Sequence, residues 1–211
     1  MFELDGDFPF LWRLSAESSE GFCAVAMVVP YQAEDDREDL TIETPVLSMP
    51  SDQSRSENEE VLQWNQDDID LFLTMVNLQR QSRNLPVSNT VHVDLADPAI
   101  IEIINVVAAA GFGTPCTSSG VLLNSTGQYP PFHCHIGGLA SLNTVNGFKP
   151  CIVVTMEDDD VVCVLLDDVG MIQTGELDQL NRHDLLLVKS SDVLHPGFAS
   201  GSARGESQSA H

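Results

Sequence analysis

Positive charge is what this chain has least of. Its 211 residues carry nine Lys and Arg against 32 Asp and Glu, a formal net charge of -23. Lys149 and Lys189 are the two lysines. A field of that sign repels nucleic acid and anionic membrane surfaces, so neither is an expected partner. An anionic ligand would need a local positive feature, and the C-terminal third offers Arg182, Lys189 and Arg204.

Long apolar runs are missing as well. None approaches the roughly 18 residues of a membrane helix. The opening "MFELDGDFPFLWRL" has neither a basic leader nor a long apolar stretch, so no signal peptide is read and a cytoplasmic or nuclear location is expected. The five cysteines, Cys23, Cys116, Cys134, Cys151 and Cys163, are odd in number and form no C-x-x-C. Reduced thiols are the expectation. The sequon at Asn124 is then a chance match. There is no G-x-S-x-G elbow, Walker A loop, H-E-x-x-H or dinucleotide fingerprint.

Hydrophobic residues make up 43% of the chain, enough for a core. "FCAVAMVVPY" reads as a buried strand. Residues 32–60 are polar and acidic and read as a flexible loop or linker. From Val61 to Leu78 the apolar spacing turns helical, with acids at the start and arginines at the end. "TVHVDL" alternates like a strand. In "DPAIIEIINVVAAAGFG", Asp97 predicts a cap, Pro98 a first helical residue and Gly111 a stop. "SGVLLNS" reads as a short strand. "PCIVVTMEDDDVVCVLLDDVG" reads as a hairpin turning at "EDDD". The class expected is α+β, helices first and strands later. The expected divisions are a strand-containing segment 1–31, the acidic linker 32–60, a main domain 61–204 and a disordered tail 205–211.

The densest chemistry lies in "GQYPPFHCHIGG", residues 127–138. On a strand, His133 and His135 would point to one face, with Cys134 opposite and packed. An H-x-H pair placed so can offer two cis positions to one metal ion, and His195, after the apolar "LLLV" strand and a short turn, is the candidate third ligand. The bland alternative is that these are ordinary core or surface histidines. Tyr129 and Phe132 line a pocket or pack a core. Asp167, Asp168 and Glu157 are weak candidates for a carboxylate ligand.

"VLLNSTGQYPPFHCH" followed by "HDLLLVKSSDVLHPGFASGSAR" resembles the iron(II)/2-oxoglutarate dioxygenases, the prolyl-hydroxylase-like ones in particular, within the double-stranded β-helix and cupin superfamily. The resemblance spans roughly residues 90–204 as scattered positions. It implies a double-stranded β-helix (jelly-roll) core with N-terminal helices packed on it. It implies Fe(II) held by His133, His135 and His195, with 2-oxoglutarate beside it, contacted by Arg204 and Tyr129. The activity implied is hydroxylation of a small molecule or a protein side chain. The chain departs from that family in holding His135 where the H-x-D acid belongs. The same residues resemble a cupin, G-x5-H-x-H, whose usual Glu position is Ala140 here. That version implies a three-histidine dioxygenase binding its substrate on iron. A third alternative is a non-catalytic barrel used for binding or as a scaffold.

Overall fold

A computed structural model describes residues 2–4, 9–30, 39–49, 58–85, 91–123, 127–173 and 176–202. The chain forms two compact units, Met1–Gly113 and Thr114–His211. The class is mixed α+β. The boundary at Gly113 corrects the expected 61–204 domain, because the first two helices belong with the N-terminal strands.

Along the first unit run β1 (Phe2–Leu4), β2 (Leu11–Leu14), β3 (Cys23–Val29), β4 (Leu40–Ser48), β5 (Glu60–Gln63), α1 (Gln66–Ser82), β6 (Val91–Val93) and α2 (Pro98–Phe112). Four strands make an antiparallel sheet in the order β4-β3-β2-β5, and β1 pairs with β6. Strands thus precede the helices, a correction to the helices-first order. The linker reading is also corrected over Leu40–Ser48. Its acids hid a period-two pattern in which Val46 and Ser48 are buried while Glu43, Pro45 and Leu47 face out. Pro45 is tolerated because β4 is an edge strand, and the ladder with β3 shifts register between Ala24 and Ala26. The linker's last residue, Glu60, opens β5, while residues 32–38 and 50–57 lie outside the described residues, as does the tail 205–211.

The two helices sit where local chemistry puts them. Leu71, Phe72, Met75 and Val76 are buried at the 3–4 spacing of one helix face. Asn65 and Asp68 form a reciprocal capping box on α1: each side chain accepts from the other's backbone N–H, at 2.9 and 3.1 Å. Asp97 accepts from the Ala99 N–H at 2.9 Å to cap α2.

Asp68 does more than cap. It is buried at 6% exposure, and its Oδ2 also accepts the indole N–H of Trp12 at 3.1 Å, which ties α1 to β2. That indole stacks on Trp64, with ring centroids 4.9 Å apart, and meets Phe112 edge-on at 5.5 Å. Phe10 and Phe72 complete the cluster. Aromatics are only 6% of the chain, yet five of them make this core.

The second unit contains β7 (Cys116–Thr117), β8 (Leu139–Thr144), β9 (Gly147–Glu157), β10 (Asp160–Leu165), β11 (Val169–Gln173), β12 (Glu176–Leu180), β13 (Leu185–Lys189), β14 (Val193–Leu194) and the short helix α3 (Gly197–Ser202). Its main sheet has the order β14-β8-β9-β10-β13-β7, and β11 pairs with β12. The predicted hairpin is β9–β10. It turns at Asp158, whose φ of 52° is one that Asp tolerates. Among the described residues, the strand read in "SGVLLNS" reduces to one bridge, Leu122 to Thr144.

One face of this sheet buries Ala140, Leu142, Cys151, Val153, Cys163 and Leu186, among others. Cys151 and Cys163 are diagonal neighbours on adjacent strands, since Cys163 pairs with Val153. The hydrogen bond shared with the Cys163 thiol, and then burial, push the Cys151 thiol well above its ordinary value. A buried, protonated thiol is a packing group.

Two outcomes follow from these cores. A thiol reagent added to the native chain should label exposed Cys116 first and reach Cys151 and Cys163 only on unfolding, as mass spectrometry of the adducts would read. For Asp68, burial is the largest effect and raises the carboxyl above its ordinary value. A carboxyl raised on folding contributes most below its unfolded value of about 3.9, and that contribution is lost as pH rises through the folded value. At neutral pH, Asp68→Asn keeps an acceptor oxygen and removes the buried charge, so it should be at least as stable as the parent. Asp68→Ala strands the Trp12 and Asn65 N–H groups and should cost about 2 kcal/mol. Both tryptophans lie in this unit, so indole fluorescence during denaturation measures it selectively.

Candidate functional site

The histidine-bearing segment runs beside the sheet without joining it. Residues 131–135 belong to no strand, which corrects their placement on one. Pro130 and Pro131 have no N–H to give a ladder and hold the chain extended. The two-fold alternation of an extended chain nevertheless persists. Phe132 and Cys134 pack against the core of the sheet, while His133 and His135 are exposed. Burial, the largest cause, raises the Cys134 thiol above its ordinary value. The expected parity of the segment is therefore observed, but its sense is opposite to a pair of imidazoles aimed into a barrel.

A glycine turn brings the chain back to the sheet. Gly137 has φ 78°, a conformation that suits glycine, and its N–H bonds to the Val153 carbonyl at 2.7 Å. The Val153 N–H returns a bond to the Gly138 carbonyl at 3.1 Å. His135 folds back over this turn. A Cβ placed on Gly138 would lie 2.9 Å from the His135 Nε2, so the glycine makes room for the ring.

His195 follows edge strand β14, whose Val193 and Leu194 pair with Leu142 and Ser141 of β8. It too is exposed. Its ring meets Phe132 edge-on at 5.4 Å, so the H-x-H segment and the His195 turn are neighbours. The turn is held at several points. The Gly197 N–H donates to His195 Nδ1 at 3.0 Å. The buried Ser141 hydroxyl donates to the Pro196 carbonyl at 3.2 Å and accepts from the Ala199 N–H at 3.1 Å. Phe198, from α3, stacks on Phe148 at 5.2 Å, and Tyr129 closes edge-on against both, 5.1 Å from Phe198 and 5.6 Å from Phe148. Tyr129, expected beside a co-substrate, is thus part of a three-ring packing cluster. Two ring contacts, Phe132 with His195 and Tyr129 with Phe198, clasp the two segments together.

A three-imidazole metal centre makes a definite demand on this arrangement. A ligating histidine gives its lone pair to the ion and donates its other ring N–H to an acceptor. At His195 the polarity is reversed. Its Nδ1 receives a backbone N–H, so the neutral ring's one lone pair is in use and the proton sits on Nε2. Ligation through either nitrogen would first break the Gly197 bond. Among the described residues, no group of three or more His, Cys, Asp or Glu side chains is arranged to hold a metal ion. As placed, the three histidines do not fit such a centre. Asp167, considered above as a replacement ligand, is paired to Lys149 at 2.6 Å, and the hydrogen bond from that lysine lowers its carboxyl. Arg204 lies outside the described residues.

Two features of the site went unread in the sequence. One is the Gly two residues after His195, the spacing at which a side-chain acceptor closes a turn on its own backbone. The other is charge. From Ile103 to Phe148 there is no Asp, Glu, Lys or Arg, and none from Val193 to Ser202. These are the two segments that the ring contacts join.

If His195 serves as a turn acceptor, Asn at 195 should replace it, since Asn Oδ1 is as many bonds from the backbone as Nδ1. His195→Asn should keep the Gly197 amide protected from hydrogen exchange and the unfolding midpoint unchanged. His195→Ala should expose that amide and cost about 1 kcal/mol.

No protein-family model matches the chain, and no curated protein matches it, so the chemistry of this surface is read from its own atoms.

Proposed function

We propose that the C-terminal unit is a binding module, and that its contact surface is the uncharged face displaying His133, His135, Ile136 and Leu139. The observation that supports this reading is the sense of the 132–135 alternation: the apolar side chains turn to the core and the imidazoles to solvent. Ile136 and Leu139, next along the chain, are 44% and 48% exposed. The stretch Gly127–Phe148, which carries these groups, contains no Lys, Arg, Glu or Asp, and imidazoles, aromatic edges and large aliphatic groups are of the kind that protein contacts favour at their centres.

A second reading keeps the iron(II)/2-oxoglutarate dioxygenase, or its three-histidine cupin relative. The Phe132–His195 contact favours it, because it joins the two histidine-bearing segments. It brings with it a double-stranded β-helix, whereas β8, β9 and β10 are successive neighbours in one sheet. It also requires His195 to release Gly197.

Metal content separates the two. The binding-module reading expects no stoichiometric iron on anaerobically loaded and desalted protein, and no oxoglutarate consumption. It expects His133→Ala and His135→Ala to change stability by no more than about 0.5 kcal/mol, as at exposed positions. One equivalent of Fe(II), lost in each of His133→Ala, His135→Ala and His195→Asn, would overturn it in favour of the dioxygenase.

A further inference from the structure

We infer that the occupant of this face is a second copy of the same chain, an inference that rests on reading the face as a contact surface. With a net charge of -23, two copies repel wherever their acidic surfaces approach within a screening length, about 8 Å at physiological salt. A face without charged residues is where that repulsion is least. Within the C-terminal unit the fold builds such a face from two uncharged segments, Gly127–Phe148 and Val193–Ser200, and joins them through Tyr129 on Phe198 and Phe132 on His195.

The charge pattern also discriminates among partners. A basic protein gains most from the acidic surfaces and nothing electrostatic from this face. A partner of the same strong negative charge has the opposite preference, and the chain itself is such a partner. Two copies related by a two-fold axis would present the same patch to each other, aliphatic Ile136 and Leu139 against themselves or against the imidazole tips. The contact would be of the apolar-centred kind, with the acids left at its rim.

Sedimentation of the full chain over a wide concentration range tests this. A monomer–dimer equilibrium is expected, and it should tighten as salt rises, because salt screens the acid–acid repulsion. Leu139→Asp and Ile136→Asp should each weaken the dimer about tenfold or more. Met156→Asp, at a 39% exposed site outside both segments, should leave it unchanged. Circular dichroism checks that each variant is folded. If Leu139→Asp disrupts β8, Ile136→Asp, in the glycine turn, answers alone. A monomer at every concentration and salt would overturn the inference, as would a dimer indifferent to both aspartates. So would a monomer that binds polylysine through this face, since its partner would then be basic. None of these results bears on the iron measurement, which judges the contact-surface reading separately.

Discussion

An extended chain has only two sides, and what lies beneath it decides which one is seen. Over residues 132–135 the side chains alternate, and the sheet claims Phe132 and Cys134 because they are the apolar pair. His133 and His135 are then turned to solvent by default. The rest of the C-terminal surface follows from that assignment. Phe132, held at the core, gives His195 an edge to rest on. The chain before it brings Tyr129 to Phe198 and Phe148. The display of the imidazoles is the far side of a packing decision, in which the partly buried Phe132 gains a share of the roughly 1.5–3 kcal/mol that full burial of such a side chain is worth.

The N-terminal unit solves a different problem with a related economy. Its sheet and helices are linked through one carboxylate that serves two partners, a helix-start N–H and an indole N–H. Burying that charge opposes folding at neutral pH, and the two donors offset part of the cost. The surrounding rings exclude water and so strengthen both bonds. Cap and core are the same residue here, which couples helix α1 to strand β2 more tightly than apolar contact would.

Local signals in the sequence were legible and non-local ones were not. Asp97 and Pro98 announce α2 because a cap and a proline act within one turn of themselves. "EDDD" announces the β9–β10 hairpin for the same reason. Strand β4 was hidden because Glu43 and Pro45, which argue for a loop, occupy the outward positions of an edge strand, where they cost little. The spacing of His133 and His135 gave the parity of that segment but not its sense. Sense depends on a core assembled from β8, β9, β10 and β13, the last of which begins 50 residues after His135. His195 illustrates the same limit. Its place after an apolar strand is legible, while the direction of its lone pair is set by an amide two residues on.

The direction of the His135 ring is governed from a position that has no side chain. Its Nε2 occupies the volume that a methyl on residue 138 would fill. Randomising the histidines would therefore change the chemical groups on this surface without altering how they are presented. One added carbon at Gly138 would meet the ring and the His135 carbonyl oxygen, each at 2.9 Å, so ring and turn would both have to shift, and the surface would be reshaped with every imidazole still in the sequence.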